Sequence, residues 1–496
     1  MDNLLAAVDL GSNSFRLSIG RVVQEAGVSQ IYQVDRLKET VRLAAGLDAS
    51  LVLADEAIVR ATEVLRLFGD RLRDFRPDRV RAVATNTFRV ARNADQLLAR
   101  CEAALGFPIE VVAGHEEARL IYAGVAHCLP SSTAQRLIVD IGGGSTELII
   151  GKGYRPLQVA SLHMGCVSFS QRFFPDGQIT STSMQQADLA ARREIETITR
   201  RYKKVGWAEA FGSSGTAKAL YAILTESGLS SQGITLKGME ALKAKLIRSG
   251  KVIASEHPGI KLERADVLPG GLVIMAAIFS ELKIESMRTG DGALRVGVLY
   301  DLLGREDEHD TRQETVDQFM RRYHVDQNQA ERVRDAALAL FEQCRPAEVD
   351  HELVLALKWA ASLHEIGLSI AHNGYARHTA YVLENAEMPG FSNDDQELLA
   401  QLAFAHHGKL SRLPGKPKND VKWRAILCLR LAALLFRRRQ SMARLPLSLA
   451  VKNSQISVSM PNGWRRTNPL LEYALETEAS EWRKAGFSFE ILERQA

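Results

Sequence analysis

Two stretches of this chain carry an aspartate, a glycine- and serine-rich turn and a following apolar run, and they are copies of one another. Placing Asp9 over Asp140 aligns Val8-Asp-Leu-Gly-Ser-Asn-Ser-Phe-Arg-Leu-Ser-Ile-Gly20 with Val139-Asp-Ile-Gly-Gly-Gly-Ser-Thr-Glu-Leu-Ile-Ile-Gly151 without a gap. Each copy predicts a buried strand ending in Asp, a tight turn and a strand running back. Turn glycines let backbone approach a ligand closely, and successive turn N–H groups make a nest for an anion. Two such hairpins describe a duplicated protein with a phosphate clamp on each side of a cleft. A third turn, Gly212-Ser-Ser-Gly-Thr216, precedes a helical run over Lys218–Leu224. The first amides of a helix, together with small hydroxyls, suit phosphate oxygens. No Gly-x-x-x-x-Gly-Lys-Ser/Thr occurs, so P-loop chemistry is not implied.

Carboxylates supply the other half of the chemistry. Asp140 and Glu147 stand at the two ends of the second turn, where a hairpin brings them to one mouth. Hard oxygen ligands there suit Mg²⁺, which is usually held by one or two carboxylates plus substrate phosphates and water. Gly114-His-Glu-Glu-Ala-Arg-Leu-Ile-Tyr122 puts Glu116 and Glu117 at the start of an expected helix. Adjacent helical residues diverge by about 100°, so only one of them points into a cleft. Acids at a helix start also complement the helix dipole without further purpose. Thr85-Asn-Thr-Phe-Arg89 follows a strand-like segment, and Arg89 offers a two-pronged donor for a phosphate.

These residues need a scaffold, and the pattern of the chain supplies one. Residues 1–125 alternate strands (Leu4–Leu10, Phe15–Arg21, Arg79–Thr85) with helices (Ala54–Phe75, Ala94–Ala104). Residues 126–305 repeat the mixture, with strands at Leu137–Ile141 and Glu147–Gly151 and helices near Met184–Tyr202, Leu236–Ser249 and Gly271–Leu282. From 306 to 496 the pattern is nearly continuous helix, closed by two short strands and a helix at Pro469–Lys484. Three domains result, as a length of 496 residues leads one to expect.

The composition, 46% hydrophobic and 25% charged with a net charge of +4, excludes a disordered or collagen-like chain and gives no hint of nucleic-acid binding. Five scattered cysteines without a Cys-x-x-Cys pair fit a reducing compartment. The first residues lack the basic start of a signal peptide, and the longest apolar run noted, Ala425–Phe436, is interrupted by Arg430 and far shorter than a membrane helix. A cytoplasmic protein with no membrane partner is the expectation. Between 401 and 450, eleven basic residues face the single acid Asp420. Such a run is either a solvated face or a surface that holds a polyanion.

Taken together, Ala7–Phe15, Ala84–Arg89, Gly114–Tyr122, Val139–Leu148, Gly212–Thr216 and Asp291–Leu299 resemble the exopolyphosphatase and guanosine-pentaphosphate phosphohydrolase (Ppx/GppA) family of the actin-like superfamily. The resemblance implies an α/β fold of two duplicated actin-like, ribonuclease H-like domains around a cleft, followed by a mostly α-helical HD-like domain. It implies that Glu117 positions and deprotonates an attacking water, and that Asp140 and Glu147 hold Mg²⁺, with Asp9 assisting through water. Asn13, Ser14, Arg89, Gly143, Gly144, Ser145, Gly212, Ser213, Ser214, Gly215 and Thr216 fall at phosphate-contacting positions. The implied activity is Mg²⁺-dependent release of terminal orthophosphate from inorganic polyphosphate, with hydrolysis of guanosine pentaphosphate as the alternative, by a homodimer. Two departures stand out. Val296 replaces a frequent Glu, and His364-Glu365 replaces the His-Asp of metal-binding HD domains, which argues against a metal among His364, His378, His406 and His407.

Overall fold

The computed structural model describes residues 3–494 apart from 26–27, 49, 131, 254–257, 261, 307–309, 347–348, 414–420 and 443. They form two compact units, Met1–Asp310 and Thr311–Ala496.

The first unit holds two five-stranded sheets. One contains β1 (Leu4–Leu10), β2 (Ser14–Glu25), β3 (Val28–Thr40), β4 (Val80–Ala84) and β5 (Ile109–Val111), in the order β3-β2-β1-β4-β5. The other contains β6 (Gln135–Ile141), β7 (Thr146–Lys152), β8 (Arg155–Leu162), β9 (Glu209–Gly212) and β10 (Arg288–Thr289), in the order β8-β7-β6-β9-β10. In each sheet the first three strands are an antiparallel meander, and the fourth and fifth strands run parallel to the first. The sequence repeat is therefore a repeat of topology. Even the irregularity recurs, with a register shift between Ile19 and Gly20 in one copy and between Ile150 and Gly151 in the other.

The glycine that closes each repeat has a packing reason. A Cβ at Gly151 would enter the ring of Tyr122, whose hydroxyl donates to Gly153 O at 2.9 Å. Gly151→Ala is expected to destabilise the protein by about 1–3 kcal/mol, since an overpacked core must shift backbone or ring. Chemical denaturation measures this, and an unchanged midpoint would show that the ring moves freely.

Strand alternation decides which residues meet in the middle. On β1, Ala6, Val8 and Leu10 pack into a core on the outer face, while Leu5 and Ala7 join a second core with Val83, Ile138, Ile149 and Phe211. That central core also contains residues of the helices Gly114–Cys128 and Leu294–Glu306. On β6 and β7, Leu137, Val139, Ile141, Leu148 and Ile150 face outward, and Ile138 and Ile149 face the same central layer. By parity Asp9, Arg16, Asp140 and Glu147 all belong to the central layer. The outer face of the second sheet is covered by the helix Leu268–Leu282, which is apolar all round because nearly every residue in it is buried. The segment Arg264–Leu282 is long and apolar enough to cross a membrane (hydropathy 1.6), yet 72% of it is buried within the fold. Reading Ala425–Phe436 as the longest apolar run overlooked this segment.

The second unit is mostly helical, with helices at Thr311–Arg322, Gln327–Cys344, His351–Leu363, Tyr375–Asn385, Asn393–Ala405 and Val421–Leu435. β11 (Ser448–Lys452), β12 (Gln455–Pro461) and β13 (Ser488–Arg494) form a small sheet, with the helix Pro469–Lys484 leading into β13. The sequence pattern missed the third strand, β13. The basic run of 401–450 is not one open face. Arg430 is buried and binds Glu478, Arg424 donates to Cys344 O, and Arg439 bridges Asp326 and Glu365. Lys416 and Lys418 lie outside the described residues. The buried histidines serve the core. His364 Nδ1 bonds Ala361 O at 2.7 Å, and His406 Nε2 meets the Tyr375 hydroxyl at 3.0 Å.

Candidate functional site

The two hairpin turns of the first unit face each other. A Cβ built on Gly143 would lie 3.1 Å from Ser12 Cβ, and one on Gly144 would strike the Asn86 side chain. The first turn is fixed from behind, because Asn13 O accepts from the amides of Val41 and Arg42 at 3.1 and 2.9 Å, and Ser12 Oγ meets Thr87 Oγ1 at 2.8 Å. The second turn is fixed likewise. Gly142 N donates to Ser145 O at 2.9 Å, and Gly143 O accepts from Val167 and Ser168 at the start of the helix Cys166–Phe173. Ser14 and Ser145 are buried beside these turns. With the carbonyls tied back, the turn amides are what remains for an anion.

The third turn differs from its expectation in detail. Its hydroxyls are committed: Ser213 donates to Asp140 Oδ2 at 2.5 Å, Ser214 caps the helix Gly215–Glu226 by accepting from Ala217 N, and Thr216 donates to Ile141 O. The helix start keeps its first backbone amides for a ligand. Gly215 approaches the guanidinium of Arg264 so closely that a Cβ there would collide with it.

Four carboxylates gather in the central layer. Asp140 and Glu147 are directly paired across β6 and β7, as Asp9 and Arg16 are across β1 and β2. Glu147 Oε1 accepts from Ser161 Oγ at 2.8 Å. Glu117, in the first turn of the helix Gly114–Cys128, receives Arg89 Nη1 at 2.9 Å, and the same Arg89 nitrogen donates to Val112 O at 2.7 Å. Its neighbour Glu116 points elsewhere, into a buried network with Arg119, Arg81, Glu110 and Asp301. Burial alone would raise the Asp301 carboxyl, but Arg119, Arg81 and Arg305 hold it well below the usual carboxylate range. One acid of the pair thus anchors the helix and the other faces the site. Gly297 lets the helix Leu294–Glu306 cross close enough for this anchoring, since a Cβ there would strike Leu120 O.

Burial pushes all four carboxylates toward their neutral forms. Glu117 rises to about 7, from burial first and then from Asp9 and Asp140, against the lowering pull of Arg89. Glu147 rises well above its ordinary value through burial and the charges of Glu117 and Asp140. Asp140 and Asp9 also rise by burial, tempered in each case by Arg16. Such a group of buried hard oxygen donors could hold a hard divalent cation. Among the described residues no three His, Cys, Asp or Glu side chains converge on one ion position.

Three arginines were missed by sequence reasoning. Arg16 sits opposite Asp9, in the repeat position that Glu147 occupies opposite Asp140, and the alignment itself carried that signal. Arg295 is partly buried with its Nε unpartnered, and burial together with neighbouring Arg16 lowers it. Arg264 lies in a segment without periodicity, and nothing local marks it.

The Ppx/GppA phosphatase family model matches residues 21–306, and the model of Ppx/GppA phosphatase domain III matches 311–479. The chain belongs to the Ppx/GppA phosphatase family. A curated relative from Pseudoalteromonas translucida, named guanosine-5'-triphosphate,3'-diphosphate pyrophosphatase, is 39% identical over 98% of this chain and 97% of its own. Among solved structures, an exopolyphosphatase-like protein aligns at TM-score 0.55 and 27% identity, covering 62% of this chain and 98% of its own. The Aquifex aeolicus Ppx/GppA family member aligns at 0.50 and 25%, covering 61% and 98%. This Ppx/GppA phosphatase therefore has the expected α/β, actin-like arrangement in its first unit and a helical second unit, and it is a hydrolase of phosphoanhydride bonds.

Proposed function

We propose that this chain removes the terminal 5'-phosphate of guanosine 5'-triphosphate 3'-diphosphate by hydrolysis. The supporting observation is the likeness to a protein named for that nucleotide, which runs through both units at 39% identity. Polyphosphate hydrolysis, placed first from sequence, is the second reading. It is favoured by the likeness to an exopolyphosphatase-like structure, which covers only 62% of this chain. Orthophosphate release from the nucleotide and from long-chain polyphosphate, compared as kcat/KM, separates the two. A ratio of at least about tenfold favouring the nucleotide is expected, and the opposite ratio would reinstate polyphosphate.

In this reading the amides of the Asn13–Ser14, Gly143–Ser145 and Gly212–Thr216 turns hold the phosphate oxygens, and Arg89 and Arg16 neutralise their charge. Glu117 orients a water in line with the terminal phosphorus and takes its proton at a carboxylate oxygen. The phosphorus–bridging-oxygen bond breaks, and the shortened phosphate chain leaves. Mg²⁺ would be held by Asp140 and Glu147, with Asp9 through water, and would supply charge neutralisation at the phosphoryl oxygens. The histidine core of the second unit fits a proposed HD-like origin without a metal, since Glu365 is spent on Arg439.

A base must be ionised to act, and burial lifts Glu117 to about 7. At limiting Mg²⁺, kcat/KM is therefore expected to rise with pH through an apparent value near 7 that belongs to the carboxylate cluster as a whole. Added cation should move this limb to lower pH. A profile flat from pH 5 to 8 would count against Glu117 as the base.

A further inference from the structure

A pocket of about 390 Å³ opens directly off the first phosphate turn, with Ser12 and Asn13 in its wall. That volume lies in the usual range for small-ligand pockets, about 300–1,000 Å³, and exceeds what a phosphate group needs. Phe174, Pro175 and Val267 give it an apolar side, and Arg42, Asp176 and Asp266 a charged one. One guanidinium against two carboxylates leaves the lining net negative, which disfavours a polyanion and suits an uncharged ring carrying N–H donors.

Arg42 is tied to the phosphate turn by its own backbone, whose left-handed conformation (φ 51°) accompanies the hydrogen bond from its amide to Asn13 O. Its Nη2 lies 3.9 Å from Asp266 Oδ2, with both side chains largely exposed. A donor and an acceptor side by side match one edge of guanine, where the O6 acceptor neighbours the N1–H and amino donors. Adenine presents the reverse order there.

Resting on the nucleotide reading above, we propose that this pocket binds the guanosine part of the substrate. The base lies on the Phe174–Pro175 side, Asp266 accepts from its N–H edge, and Arg42 donates to its O6. The phosphates then run across Ser12 and Asn13 toward Glu117. Arg42 and Asp266 become the residues that separate guanine nucleotides from adenine nucleotides and from plain phosphate chains.

The test compares orthophosphate release from guanosine 5'-triphosphate 3'-diphosphate and from tripolyphosphate, in the full-length protein and in two variants. Asp266→Ala removes the acceptor, and Ala45→Phe fills the pocket from its lining. Both should lose at least about tenfold in kcat/KM on the nucleotide and stay within about twofold on tripolyphosphate. Equal losses on the two substrates, or an unaffected nucleotide rate in both variants, would overturn the pocket assignment. Wild-type protein that cleaves tripolyphosphate but not the nucleotide would instead remove the nucleotide reading itself, so the two failures are distinct.

Discussion

Glu117→Gln is expected to lower phosphate release by about 10²–10⁴-fold while substrate still binds and the protein stays folded. The helix that carries Glu117 is anchored by other groups, through Glu116, Arg119 and Asp301 on the buried side. Glutamine keeps the size of the side chain and can still accept from Arg89, but it cannot take a proton from water. Stability gives an independent reading. Moving Glu117 from its ordinary 4.5 to about 7 means that its ionised form costs the folded state on the order of 3 kcal/mol. Because the folded value is raised, the associated stability is complete below about 4.5 and is lost as pH rises through about 7. Above pH 7 and without cation, the glutamine variant should therefore melt at or above the wild-type temperature. Wild-type turnover by this variant would end the assignment of Glu117 as the base. A marked loss of stability at pH 8 would mean that the Arg89 ion pair outweighs burial.

Asp140→Asn carries the second large effect, on the response to Mg²⁺. Asp140 and Glu147 are cross-strand partners, and both are raised, by burial first and by neighbouring carboxylates as well. With a chelator present, the wild-type denaturation midpoint should fall between pH 5 and pH 8 as the cluster is forced to ionise. Mg²⁺ should restore it at pH 8, where the carboxylates bind the ion without competing protons. In Asp140→Asn this restoration should shrink severely, with kcat/KM down by about 10²-fold or more. A wild-type midpoint indifferent to Mg²⁺ at pH 8 would contradict the ion-binding role of this pair.

Much of this site could be read from local sequence because its parts are hairpins. A hairpin fixes which residues oppose one another, so the duplicated Asp–turn–strand pattern yields the Asp140–Glu147 pair and the facing turns. The Glu116–Glu117 pair was legible only as a choice between two acids. Selecting Glu117 rested on family resemblance, and the buried network around Glu116 supplies the physical reason. Arg264 was out of reach, because it meets the Gly212–Thr216 turn through chain folding over some fifty residues of sequence. Arg16 was legible in principle, as the cation standing where the second copy has Glu147. Sequence also overvalued the hydroxyls of Ser213, Ser214 and Thr216, which the structure commits to Asp140, a helix cap and Ile141 O. In the basic run of 401–450, charge counts cannot distinguish a solvated arginine from Arg430, which is buried against Glu478.

The most direct measurement is product analysis with guanosine 5'-triphosphate 3'-diphosphate as substrate, at pH 8, with Mg²⁺ and with a chelator. One orthophosphate per nucleotide and an intact 3'-diphosphate, formed only with Mg²⁺, is the predicted result. Release of pyrophosphate, or no hydrolysis of the nucleotide under either condition, would contradict the proposed reaction.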